Sequence, residues 1–156
     1  MTPAFRIEAL PSADLDRIRD RGVDDFGNPV LITVDHDPGG APLRCCLRDA
    51  VAEERVALIA WRPASTGGAY AEVGPVFVHA DSCQGYEAGD RYPEGFRHRS
   101  QIFRAYDADG RQVDNRIVEG DDAEVAIAEL FSRPDVAYLH SRNVLAGCYM
   151  FTIARA

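Results

Sequence analysis

The sequence predicts an α+β fold, a mostly antiparallel sheet with two helices, on three observations. Short apolar and β-branched runs outnumber the stretches with helical periodicity. Most of those runs are separated by turn residues rather than by helix-length segments, which suits antiparallel neighbours. Two segments, one opening at Ser12 and one at Asp121, carry an apolar stripe at helical spacing. Residues 1–156 read as one domain, since no repeat or low-complexity tract interrupts them and a chain of this length can bury a core of its own.

Residues 5–10 alternate as a strand does. Pro11-Ser12 opens the first helix, with Ser12 as N-cap, Leu15 and Ile18 on the inner face and Gly22 as its end. Residues 30–34 form a β-branched run, and residues 35–40 after it are turn chemistry. Residues 43–47 and 56–61 read as strands joined by the acidic stretch 49–54, which also suits a helical turn. An extended 43–47 places Cys45 and Cys46 on opposite faces, as poor disulfide partners. Residues 63–68 form a loop, and residues 70–79 hold one or two strands around Gly74-Pro75.

The longest irregular stretch is 81–95, with three Gly, one Pro, two Tyr and no periodicity. Long loops are over-represented at functional sites. Residues 100–106 and 111–118 flank Asp107-Ala108-Asp109-Gly110, a strong hairpin signal. The second helix, near 122–132, is capped by Asp121 with Glu124 in capping-box position and packs on the sheet through Ala123, Ala126, Ile127, Leu130 and Phe131. Pro134 stops it. Residues 136–143 and 148–153 close the chain as a hairpin.

Composition excludes several functions. A net charge of −8 opposes a nucleic-acid or anionic-membrane surface. No run approaches the roughly 20 apolar residues of a membrane span, and the N-terminus lacks a signal-peptide core, so the expected location is the cytoplasm. Every one of the 17 basic residues is Arg. Codon composition is the plainest source, and Schiff-base chemistry, a lysine base and a P-loop lysine are excluded. There is no Gly-x-Ser-x-Gly elbow. The cysteines Cys45, Cys46, Cys83 and Cys148 lack a Cys-x-x-Cys pair and read as reduced thiols.

Candidate site residues come from strand faces and loop ends. Tyr138, His140 and Arg142 share one face of their strand, His79 ends another, and Cys83 follows it in the irregular loop. His79, Cys83, His140 and Cys148 are soft donors, but His-x-x-x-Cys is not a zinc spacing and four separate segments make a weak set. Buried thiols and hydrogen-bonded histidines account for them, and no metal is assigned. A Cys148 nucleophile with His79 or His140 as base and Asn143 orienting is a second arrangement. Arg44, Arg104 and Arg142 suit two-point capture of a carboxylate or phosphate, with solvated strand-edge arginines as the plain alternative.

The segments 42–50, 69–80, 104–110 and 136–140, with Asn143 and Gly147-Cys148-Tyr149, resemble in order a small bacterial family, domain of unknown function 1203. The likeness runs from Phe5 to Ala156. It implies a stand-alone bacterial domain and supplies no activity, cofactor or catalytic residue.

The expectation is therefore a small-molecule site, binding or enzymatic, with the cofactor unknown. Loop 81–95, the end of strand 74–79 and the turn 143–148 form its pocket. Arg44, Arg142, Asn143 and Cys83 bind the ligand, possession of an anionic group being favoured, and His79, Cys148 and His140 supply the chemistry. The alternative is a protein-interaction module, a homodimer paired through the final strand with Tyr149, Phe151 and Ile153 on one face.

Overall fold

The computed structural model describes residues 4–36, 40–64, 66–87 and 89–156. Among these, ten strands form two five-stranded sheets. The first has the order β1 (Phe5–Glu8), β10 (Tyr149–Arg155), β9 (Tyr138–Asn143), β7 (Gln101–Tyr106) and β8 (Gln112–Val118), with every neighbour antiparallel. The second has the order β2 (Leu31–Asp35), β5 (Glu54–Trp61), β6 (Gly74–His79), β3 (Pro42–Leu43) and β4 (Arg48–Asp49). It is antiparallel except where β3 meets β6, at Leu43 and Phe77. The fold is thus α+β with mostly antiparallel sheets, as the sequence predicts.

Helix α2 (Ala123–Phe131) buries the expected stripe, Ala123, Ala126, Ile127, Leu130 and Phe131, in a core with Phe103, Leu139, Phe151 and Ile153. Helix α1 (Ser12–Arg21) buries Leu15 and Ile18 among Val56, Ile59, Val76 and Val78 of the second sheet. A fully buried aliphatic side chain stabilises by about 1.5–3 kcal/mol, so these stripes fix where each helix lies. Gly22 adopts the left-handed conformation and its N–H bonds Ile18 O, ending α1 as expected.

Both expected N-caps are corrected. Pro11 holds the cap position of α1, and Ser12 is already helical with no side-chain cap bond. Before α2 a 3₁₀ turn (Gly120–Asp122) intervenes, and Asp122 stands at the cap without a side-chain bond. The Glu124 carboxylate turns away from the cap to accept from the Tyr92 N–H at 3.0 Å and from Arg97. An ion pair with a guanidinium outcompetes a reciprocal cap bond here.

Two strand expectations also fail. Only Pro42–Leu43 is extended, and residues 44–47 form a turn in which Leu47 has φ 57 and its N–H bonds Leu43 O. The final strand β10 lies between β1 and β9, so it offers no edge for pairing. A bulge between Tyr149 and Phe151 also breaks its alternation, leaving Tyr149 in the second core while Phe151 and Ile153 belong to the first. The expected turn at Asp37-Pro38-Gly39 lies outside the described residues. Loop 81–95 is irregular up to a 3₁₀ turn at Glu94–Phe96.

Candidate functional site

The turn at 44–47 creates the most concentrated chemistry in the chain. The parallel β3–β6 bridge and the Arg44 N–H bond to Phe77 O bring this turn beside the end of β6, where His79 stands. Because residues 44–47 turn rather than extend, closed by the Leu47 N–H bond to Leu43 O, both thiols come together: Cys45 Sγ lies 4.0 Å from Cys46 Sγ. Their expected placement on opposite faces is overturned for that reason. His79 Nδ1 is 3.5 Å from Cys45 Sγ and 3.7 Å from Cys46 Sγ. The His79 N–H donates to Cys45 Sγ at 3.2 Å. Loop 81–95 returns Cys83 to the same place, where the donor atoms of Cys45, His79 and Cys83 all lie within 4.8 Å of one another.

The other side of the His79 ring is held by charge. Val56 is its cross-strand partner, so Glu54, two residues earlier on β5, lies diagonally opposite on the same face. Glu54 Oε2 is 2.6 Å from His79 Nε2. Arg48 grips the same carboxylate at 2.6 and 2.9 Å, and the Val51 N–H adds a bond at 2.7 Å. The guanidinium, against opposing desolvation, holds Glu54 well below the usual carboxylate range. An ionised carboxylate only accepts, which assigns the ring proton to Nε2 and leaves the Nδ1 lone pair facing the thiols. Arg48 Nη2 sits 3.2 Å from Nε2, but its hydrogen goes to Glu54.

The thiols differ. Hydrogen bonding to Cys46 and then burial push Cys45 up, whereas the bond received from Cys45 and the charge of Arg48 pull Cys46 down against desolvation. Burial raises Cys83. Cys46 opens onto a cleft of about 500 Å³ walled by Arg48, Tyr86, Arg91, Tyr92 and Glu94. Loop 81–95 supplies Tyr86, Arg91, Tyr92 and Glu94 of that wall.

The remaining expected site residues are elsewhere. Arg44 is buried and its three nitrogens face Tyr149 O at 2.8 Å, Pro42 O at 2.6 Å and Cys148 Sγ at 3.1 Å. It pins the second sheet to the first. Arg142 is also buried, paired with Glu72 at 2.6 Å and with Gly147 O at 3.1 Å. Arg104 meets Glu72 too. Arg142, Cys148, Trp61 and Tyr149 line a separate cleft of about 340 Å³. Asn143 brackets its turn through backbone bonds with Cys148 and Gly147. His140 is fully buried among the rings of Tyr106, Tyr138 and Tyr149, and burial together with Arg142 and Arg104 pushes it down to about 3. It is a neutral core residue with no open face for a proton.

The residues expected in one pocket are therefore divided: His79 and Cys83 lie in the thiol cluster behind Cys46, and Arg142 and Cys148 line the separate cleft. Sequence reasoning passed over Cys45, Cys46, Arg48 and Glu54 as site members. Their signal was the vicinal cysteine pair itself, hidden by reading 43–47 as extended.

Residues 40–155 match the model of a family described as protein of unknown function (DUF1203). No curated protein and no solved structure matches the chain.

Proposed function

The chain belongs to the DUF1203 family, and we propose that it serves as a small-molecule site, binding or enzymatic, centred on the cleft above Cys46. The observation that carries this reading is a partly buried thiol with a lowered pKa, at the floor of a loop-walled cleft, beside an oriented imidazole and a guanidinium. The thiolate is the reactive form of cysteine, and positive neighbours favour it. On the cleft wall Arg48 is paired with Glu54 and Glu94 with Arg97, which leaves Arg91 as the cation facing the cleft without a carboxylate partner among the described residues. In a chain of net charge −8 that local excess of cation favours an anionic ligand. A reducing, cytoplasmic setting suits four free thiols.

The test is alkylation of the reduced, chelator-treated protein with iodoacetate and with its neutral analogue iodoacetamide, mapped by peptide mass spectrometry. Cys46 should react before Cys45, Cys83 and Cys148, with iodoacetate preferred, and Arg91→Ala should remove that preference. Equal rates at Cys46 and Cys148, or no charge preference, would sink the reading.

One observation supports a second reading, self-association through β2. This strand is an edge, and Leu31, Ile32 and Val34 are 58%, 50% and 42% exposed. An apolar free edge is a template for strand pairing, here with a second copy. Sedimentation velocity should then show a dimer that Ile32→Lys dissociates; a monomer at all concentrations would refute it.

A further inference from the structure

We infer that Cys45, Cys46, Cys83 and His79 Nδ1 form a binding site for a thiophilic divalent ion, with zinc as the fitting metal, and that Glu54 is its positioning residue. The inference rests on the same cluster as the cleft reading, but it does not require a ligand in the cleft.

The distances fit. With Zn–S near 2.3 Å and Zn–N near 2.0–2.1 Å, a tetrahedron needs donor separations of roughly 3.5–3.8 Å. Cys45 and Cys46 lie 3.5 and 3.7 Å from Nδ1 and 4.0 Å from each other, whereas Cys83 lies within 4.8 Å of Cys45 and His79 but farther from Cys46. An ion between them draws Cys45 and Cys46 together by a few tenths of an ångström and Cys83 in by about an ångström, a movement assigned to rotation of the Cys83 side chain.

The surroundings are those of a thiolate centre. Metal-bound imidazole characteristically gives its other N–H to a carboxylate, and Glu54 takes it at 2.6 Å while fixed by Arg48. Three thiolates on a dication leave one net negative charge. Two guanidinium groups flank it. Arg48 sits on the Glu54 side, and Arg19 reaches in from α1 to bond His79 O at 3.0 Å. Arg19 Nη2 is buried without a hydrogen-bond partner. An unpartnered buried donor on a guanidinium whose charge reaches Cys83 is costly, and an anionic centre offsets it. The His79 N–H to Cys45 Sγ bond is likewise of the kind that stabilises thiolate charge.

The strained backbone agrees. Leu47, next to Cys46, is buried and adopts φ 57, and Glu53, next to Glu54, adopts φ 73. Left-handed conformations at non-glycine residues cost about 1–3 kcal/mol and are held by surrounding structure. An ion tying Cys45 and Cys46 to His79 and Cys83 supplies such a restraint. Four protein donors make a closed centre, so the ion fastens the 44–47 turn and the loop carrying Cys83 to the end of β6.

The test is cobalt(II) titration of the reduced apoprotein, watching thiolate-to-cobalt charge transfer, followed by competition with zinc. Wild type should bind one equivalent and show tetrahedral cobalt absorption that zinc abolishes. Cys45→Ser, Cys46→Ser and Cys83→Ser should each lower the charge-transfer intensity by about one third, one thiolate of three, whereas Cys148→Ser should leave it unchanged. Glu54→Gln should weaken zinc binding by about 10–100-fold with the cobalt spectrum preserved. Absence of charge transfer in the wild-type protein at excess cobalt would overturn the site, as would equal loss in Cys148→Ser. Metal uptake without any anion preference at Cys46 would overturn the cleft reading alone, and the reverse pattern would overturn this one alone.

Discussion

Replacing Arg44 with Ala should cost the protein about 4 kcal/mol, a figure that follows from its contacts. The side chain is 1% exposed, and burial lowers its pKa, so its charge is held by bonds rather than by water. Nε donates to Tyr149 O at 2.8 Å and Nη1 to Pro42 O at 2.6 Å. A hydrogen bond from a charged donor contributes about 1.5–3 kcal/mol, which gives roughly 3–6 kcal/mol for the two carbonyls. Breaking one side of a buried charged network falls in the same range, about 3–5 kcal/mol. Against a total stability of about 5–15 kcal/mol the loss is large. With a urea slope of about 2 kcal/mol per molar, the midpoint should fall by roughly 2 M. Arg44→Met, which keeps the stem but loses both of these bonds, should cost nearly as much. Urea unfolding followed by fluorescence of Trp61, the single tryptophan, measures both. A midpoint within about 0.5 M of wild type, equivalent to roughly 1 kcal/mol, would refute the pinning role and return Arg44 to the ligand-binding role that its sequence position suggests.

Three further outcomes follow from other buried groups. Arg97, against desolvation, holds Glu124 down to about 2. Its stabilisation is thus present above the unfolded value of about 4.3 and lost as pH falls toward 2, so Glu124→Gln should destabilise at pH 7 but much less at pH 3, by urea midpoints at each. Burial, then Arg142 and Arg104, push His140 down to about 3. Wild-type stability should therefore fall as pH drops below the unfolded value of about 6.5, and His140→Leu should flatten the change between pH 7 and 5.5; an unchanged slope would place the titration elsewhere. Gly120 has no room for a side chain, since a Cβ there would sit 2.0 Å from Arg97 O. Backbone cannot yield as a flexible side chain does, so Gly120→Ala should cost about 1–3 kcal/mol, and an unaltered melting temperature would contradict the contact.

Periodicity made much of the fold legible. The α2 stripe, the 107–110 hairpin turn and the terminal hairpin depend on local pattern and local turn chemistry, and all three stand where the sequence puts them. What failed depended on distant partners. Glu124 looks like a cap residue until Arg97, 27 residues away, claims its carboxylate. Tyr149, Phe151 and Ile153 look like one face until a bulge turns Tyr149 to the other core. Residues 43–47 carry strand-like residues, yet 44–47 form a turn that brings Cys46 beside Cys45 and ends in the left-handed Leu47, an uncommon state for a bulky residue. Residue choice alone does not signal that state. His79 and Cys83 were legible as candidates because they sit at a strand end and in a long loop. Their partners were not, since a ligand set spread over three segments has no spacing to read.

The absence of lysine bears on this as well. Codon composition can supply Arg, but it does not explain how three of them are used. Arg44 sends three nitrogens in three directions. Arg155 bonds Val136 O, Phe131 O and Arg133 O at 2.9 Å each and lies over the Phe131 ring, closing the exposed carbonyls at the end of α2. Arg48 holds both oxygens of Glu54 and so orients the His79 ring. An ammonium is a single point and cannot span such acceptors, whereas the guanidinium fork meets them without reorganising. At these positions arginine is thus selected by geometry whatever the codon supply. The proposed metal centre depends on one of them, because an imidazole that aims its lone pair at three thiols needs its far nitrogen held by a carboxylate that is itself held.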